Sequence, residues 1–325
     1  MRLSSSNNAL NVIQQSLNLG VVEAQSSEQK LLPLPLTKGF QLQYTHPHGQ
    51  IYQGNSLDWL ASLDSESVDL VFADPPYNIK KAEWDNFENQ EKYIAWSIQW
   101  ISQASRILKS NGSLYVCGFS EILADLKYSV SKYFKNCRWL IWHYKNKANL
   151  GSDWGRSHES IIHFRKSDQV KINIDDVRIS YGAHTLKYPS HPQAETSAYG
   201  KGKTKKNNNW TPNPKGAKPK DVIEIPTTCN GMGETTPHPT QKPEELLRKF
   251  ILASSQEGDL IIDPFSGSGT TIVVAEQLNR RWMGCDLNID YNSWAINRLE
   301  NVRRMTKEEW IAFDRKNSER RESIR

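Results

Sequence analysis

Short apolar runs rich in Val, Ile and Leu alternate along this chain with longer stretches in which apolar residues recur every three or four positions. The first pattern predicts buried strands and the second amphipathic helices. A strand at 50–53 leads through Gly54-Asn55-Ser56 into a helix at 57–63. The run Val-Asp-Leu-Val-Phe-Ala from residue 68 predicts a buried strand, which stops at Asp74-Pro75-Pro76-Tyr77 because neither proline can donate to a ladder. A helix over 91–109 follows, with Ile94, Ile98, Ile101 and Leu108 inward and Asn111-Gly112 at its end. Next come a strand at 113–117, a helix capped by Ser120 with Ile122, Leu126, Val130 and Phe134 inward, and strands at 138–144 and 160–164. Order resumes with a strand at 221–225 and a helix opened by Pro243, carrying Leu246, Leu247, Phe250 and Ile251 and ended by Gly258. A strand at 259–263, a helix at 270–278, a strand at 281–285 and a helix at 289–299 complete the series. Such alternation predicts an α/β fold, a Rossmann-like, mostly parallel sheet with helices on both faces.

The remaining stretches break this rhythm. Residues 1–38 are rich in Ser, Asn and Gln and read as a flexible leader, with one stripe at Ala9, Val12, Ile13 and Leu17. Residues 78–89 form a polar loop placed to close over a site, and the polar stretch 145–158 is long enough to cross the sheet edge. Between 187 and 220 there are eight lysines and one acid, Glu195, with Gly, Asn, Pro and single aromatics interleaved. That segment cannot build its own core. It suits phosphate and base-edge contacts, so Lys201, Lys203, Lys205 and Lys206 are candidate DNA ligands. Residues 304–325 read as a charged, frayed helix. The expected organisation is therefore a leader (1–38), one half-domain (39–166), an irregular basic insertion (167–225), a second half-domain (226–303) and a tail (304–325).

Composition adds little beyond this. Lys plus Arg is 41 against 36 acids, a net charge of +5 that permits a polyanionic partner without demanding one. The four cysteines lack CxxC spacing, which gives neither a disulfide framework nor a metal site. With no apolar run of spanning length and no signal pattern, a soluble, cytoplasmic bacterial protein is expected.

Two stretches carry chemistry. At Asp74-Pro75-Pro76-Tyr77 a carboxylate, a donorless carbonyl and an aromatic ring are held on a stiff strand tip. A carboxylate and a carbonyl can accept both hydrogens of a base amine, and a ring can stack on the base. At Asp263-Pro-Phe-Ser-Gly267-Ser-Gly269-Thr270-Thr271 a strand turns tightly into a helix, and the next strand ends at Asp286, about twenty residues on. An acid there suits ribose hydroxyls, while the missing third glycine disfavours a dinucleotide. Nor is it a P-loop, because no Gly-Lys-Ser/Thr follows.

These two stretches, with His238-Pro-Thr240-Gln-Lys242-Pro between them, resemble the S-adenosylmethionine-dependent DNA amino-methyltransferases. The catalytic motif precedes the glycine turn, the order of the family's β group, and NIKKAEWDNF is similar to the MboII- and RsrI-type modification enzymes. The resemblance covers about residues 50–303. It implies a class I methyltransferase fold in circularly permuted order, with 167–225 as target-recognition insertion. It implies that Asp74, Pro75, Pro76 and Tyr77 hold and stack the target base. Asp263, Phe265, Gly267, Gly269 and Thr270 would line the methionine and ribose part of the cofactor, Asp286 the ribose, and His238, Thr240 and Lys242 the methionine end. Asn55 stands where relatives often carry Asp on the adenine side, with Asp58 as a substitute, and Trp142 and Tyr144 would line the base pocket. Double-stranded DNA is the implied partner, with or without a cognate restriction endonuclease, for a monomer or homodimer. Asp at the head of the motif points to adenine N6. The alternatives are cytosine N4 by the same mechanism and a non-catalytic DNA-binding relative. Carbon-5 methylation is rejected, since no cysteine follows a proline.

Overall fold

The apolar runs become strands in the order they predict. In the computed structural model, residues 39–79, 85–145, 152, 154–170, 172–189, 191–192, 209–228 and 233–323 are described. The chain runs β1 (Phe40–His46), β2 (Gly49–Gly54), α1 (Ser56–Ser62), β3 (Val68–Ala73), α2 (Gln90–Ile107), β4 (Leu108–Gly118) and α3 (Ser120–Val130). Then follow β5 (Asn136–His143), β6 (His158–Arg165), α4 (Ala183–Lys187), β7 (His191–Pro192), β8 (Asn209–Trp210) and β9 (Val222–Glu224). The chain ends with α5 (Glu244–Ser254), β10 (Leu260–Asp263), α6 (Thr270–Gln277), β11 (Arg281–Asp286), α7 (Ile289–Glu300) and α8 (Lys307–Ser323).

A nine-stranded sheet has the order β1-β2-β11-β10-β3-β4-β6-β5-β9. From β2 to β4 every pairing is parallel; β6 then runs antiparallel to both β4 and β5. β3 lies at the centre, buried along its whole length. Its alternate residues serve the two faces. Leu70 and Phe72 join a core with Leu246, Leu247 and Phe250 of α5 and Val273 of α6. Val71 and Ala73 join one with Trp100 and Ile101 of α2 and Leu123 of α3. Burying each such Leu or Phe contributes about 1.5–3 kcal/mol. The expected fold class, with helices on both faces, is what forms.

Several local expectations change. Asn111-Gly112 lies inside β4 rather than ending α2. Leu108 already turns extended, its N–H still bonded to Ala104 O, and pairs with Val68, and a register shift before Leu70 absorbs the extra residues. Ser120 does not cap α3: Phe119 holds the N-cap position, and Ser120 Oγ bonds Ser160 Oγ of β6 at 2.9 Å. Helix α5 ends at Ser254, ahead of Gly258. β1, which the apolar pattern does not announce, forms a hairpin with β2. The tail is not frayed: α8 buries Trp310 and Asp314 against the body. The leader and Lys201, Lys203, Lys205 and Lys206 lie outside the described residues.

Candidate active site

The strand tip after β3 delivers Asp74 into a charged cluster. Its Oδ2 accepts from Lys242 Nζ at 2.6 Å and its Oδ1 from the Tyr77 hydroxyl at 2.6 Å. Glu159 Oε2 lies 3.2 Å from that hydroxyl and 3.4 Å from Lys242 Nζ. The antiparallel run of β6 explains its presence. Ser160 sits opposite Gly118, so the start of β6 reaches the edge where the parallel strands end. Burial, with Asp74 and Glu159 nearby, pushes the Tyr77 phenol up, so it remains a donor. Burial alone would lower Lys242, but the two carboxylates more than offset it and hold the ammonium charged. The Tyr77 ring packs edge-on against Phe119, at 5.1 Å, with the Arg156 guanidinium over the far ring at 3.6 Å.

From Asp74 a cavity of about 640 Å³ runs along the carboxyl ends of β3, β10, β11 and β2 to Asp286 and Asn55. Asp74, Pro76, Asn55, His238, Thr240, Lys242, Asp263, Phe265, Gly267, Thr270 and Asp286 line it, as the sequence leads one to expect. Pro75, Tyr77 and Gly269 stand beside it rather than on its wall, and so do Trp142 and Tyr144, both fully buried. Trp142 donates its Nε1 proton to Ile225 O at 2.8 Å, and its ring lies 5.9 Å from Lys242 Nζ. Asn55 lines the cavity but spends its side-chain oxygen capping α1, accepting from Leu57 N at 2.8 Å. Asp58 is exposed and outside the cavity, so it does not replace it.

At the floor, Asp263 accepts from Thr271 Oγ1 and from Phe265 N, and burial pushes its carboxyl up to about 7. Asp286 accepts from Gly267 N at 2.8 Å and Asn288 N at 2.9 Å, and burial raises it as well. The two glycines differ in purpose. Gly267, at φ +50°, lines the cavity, and a Cβ there would come within 2.9 Å of His238 Nε2. Gly269, at φ +78°, faces the α7 helix instead, where a Cβ would meet Ala295 Cβ at 2.5 Å. Gly269→Ala is therefore expected to destabilise the fold by roughly 2–5 kcal/mol, from left-handed strain plus overpacking. Denaturant unfolding would measure this, and Ala295→Gly should recover the overpacking share. Unaltered stability would show that the α6–α7 contact is looser than described.

An aromatic wall that the sequence did not reveal closes the other side. Phe87 and Trp96 line the cavity, with Trp96 at 5.6 Å from Phe265. The polar loop after Tyr77 is pinned at both ends: Asp85 accepts from Asn78 N at 2.6 Å, and Asn78 Oδ1 from Phe87 N at 3.0 Å. Arg298 clamps the glycine turn through Ser268 O at 2.9 Å and Thr270 Oγ1 at 3.0 Å.

The donor set fits S-adenosylmethionine. The cavity has the size of a nucleoside-and-amino-acid ligand. It carries an acid at each end, a glycine that allows close backbone approach and an aromatic wall. Asp286 and Asn55 would hold the nucleoside; His238, Thr240 and the glycine turn would hold the amino-acid part.

Residues 68–298 match the sequence profile described as DNA methylase. The chain is 34% identical over 264 residues to the Type II methyltransferase M1.MboII of Moraxella bovis, covering 77% of this chain and 97% of that one. It is 31% identical over 267 residues to the DNA adenine methyltransferase YhdJ of Escherichia coli K12, covering 80% and 85%. In fold it is similar to the PvuII DNA methyltransferase, described as cytosine-N4-specific, with a TM-score of 0.61 and 20% identity over 85% of this chain and 95% of that one. The strand tip at Asp74 and the glycine turn at Gly267 thus both fall within the matched region: the chain is a member of the DNA methylase family, whose enzymes methylate adenine N6 or cytosine N4 with S-adenosylmethionine.

Proposed function

We propose that this chain methylates adenine N6 at a specific sequence in double-stranded DNA. The single observation that supports it most is the placement of Asp74 at the mouth of the cavity that ends at Asp286. S-adenosylmethionine supplies an activated methyl group on a positively charged sulfur. What the protein contributes is position and charge. A paired amine is out of reach, so the base is extruded, at a cost of a few kcal/mol. Stacking on Tyr77 returns roughly 1–3 kcal/mol. Asp74 and the Pro75 carbonyl accept the two amine hydrogens and turn the nitrogen toward the cavity. The Asp74 carboxylate favours the positive charge that develops on that nitrogen. Trp142 and Tyr144, buried behind Lys242, stiffen the base side of the site.

The basic insertion guides the duplex. Replacing Lys203, Lys205 and Lys206 together is expected to lower the slope of log affinity against log salt by up to about 2.7, or 0.9 per phosphate contact. Filter binding at several salt concentrations checks this, and an unchanged slope would move the DNA path elsewhere. The enzyme works in the bacterial cytoplasm, as a monomer or homodimer, either beside a cognate endonuclease or alone.

Incubation with labelled S-adenosylmethionine and unmethylated genomic DNA, followed by nucleoside analysis, tests the proposal. N6-methyladenine is the expected product. N4-methylcytosine would transfer the assignment to the other amine, and no product, with S-adenosylmethionine still bound, would point to another substrate or a missing partner.

A further inference from the structure

The catalytic carboxylate is already engaged: one oxygen of Asp74 accepts from Tyr77 and the other from Lys242, each at 2.6 Å. A base amine must compete with both donors for it. One other anion reaches both of them. Glu159 Oε2 lies 3.2 Å from the Tyr77 hydroxyl and 3.4 Å from Lys242 Nζ, and its side chain is 13% exposed. It is held there by backbone pairing on both sides, through Trp142 of β5 and its neighbours opposite β4.

We propose that Glu159 is a positioning residue that takes over Lys242 and the Tyr77 hydroxyl when the target amine occupies Asp74. This inference rests on the amine-methylation reading above. Moving an ammonium between carboxylates 3.4 Å and 2.6 Å away needs only a small swing of Nζ. Without a second acceptor, Lys242 would be left buried and uncompensated whenever Asp74 turned to the substrate, so it would stay on Asp74 and block the amine. With Glu159 present the charge is compensated in both arrangements. The Lys242 ring contacts agree with this: its Nζ lies 5.5 Å from the Tyr77 ring and 5.9 Å from the Trp142 ring, a cage in which a cation is favoured at more than one point.

The test uses the full chain, S-adenosylmethionine at saturation and a DNA substrate methylated by the wild type. Glu159→Gln keeps the shape and removes the charge. It should lower kcat about 10²-fold, the effect of a misplaced reacting group. Cofactor affinity and melting temperature should hold, and Glu159→Asp should recover part of the rate. The decisive readout is coupling. In a Lys242→Met background, where no ammonium needs a second acceptor, Glu159→Gln should cost little more; a role that does not run through Lys242 would add its full cost in both backgrounds. Wild-type kcat in Glu159→Gln, or full additivity, would overturn the inference and leave the methylation reading intact. A wild type that produces no methylated base would instead overturn that reading, and this inference with it.

Discussion

Asp74→Ala is expected to lower methyl transfer to DNA by at least 10²–10³-fold, the usual loss when one electrostatic group aimed at developing charge is removed. The reason lies in the number of acceptors. An amine with two hydrogens needs two, and the Asp74 carboxylate is the one that also carries charge. The substitution leaves the fold standing, because Asp74 lies beyond the end of β3 and Lys242 keeps Glu159 at 3.4 Å. Cofactor binding should survive as well, since the proposed nucleoside site is at Asp286, away from Asp74 in the cavity. Single-turnover kinetics with equilibrium cofactor binding separate the two effects. A variant with wild-type rate would remove Asp74 from the reaction; a variant without cofactor affinity would place its role in binding.

Arg248→Ala is expected to bring the largest loss of stability. Arg248 is nearly buried on α5 and donates to Asp314 from Nε and Nη2, at 3.0 and 2.9 Å. It also donates to Glu244 at 3.2 Å and Gln277 at 3.1 Å, and its guanidinium covers the Trp310 ring at 4.3 Å. Burial pushes the Asp314 carboxyl up, and the guanidinium works against that shift. Removing the cation strands a buried acid, which typically costs about 3–5 kcal/mol. For a chain of this size that is a fall in melting temperature of roughly 4–7 °C. Calorimetry on the full chain would measure it. An unchanged melting temperature would mean that the Arg248–Asp314 contact adds nothing to the stability of the fold.

The sequence is readable in some elements and not in others. Strands such as β3 announce themselves because both faces are buried and five of the six residues are apolar, Asp69 being the exception. The cavity residues at 263–270 and Asp286 announce themselves because a tight turn demands glycine and the next strand tip needs an acid. Helix α8 does not, since one buried Trp and one buried Asp among charged residues leave no stripe. Glu159 was illegible for a different reason. Its importance comes from the antiparallel direction of β6, and nothing local to residues 158–165 states which way that strand runs. Phe87 and Trp96 were hidden similarly, because an aromatic that lines a cavity reads in sequence like one that fills a core. Gly269 was legible as a glycine position but not in its purpose, which is set by Ala295 on a later helix.

The adjacency of β3 and β10 also governs how the chain is made. Leu260 N donates to the Asp69 carboxylate at 2.9 Å, across 191 residues of sequence. On the ribosome, the half that carries Asp74 emerges long before the strand that covers its flank. Until β10 is synthesised, β3 has a bare hydrogen-bonding edge and half of its apolar face lacks the α5 and α6 helices. Closing so long a loop is slow, and an open edge in the meantime invites pairing with other nascent chains. The permuted order thus leaves the first half of the sheet with an open edge until the second half is made.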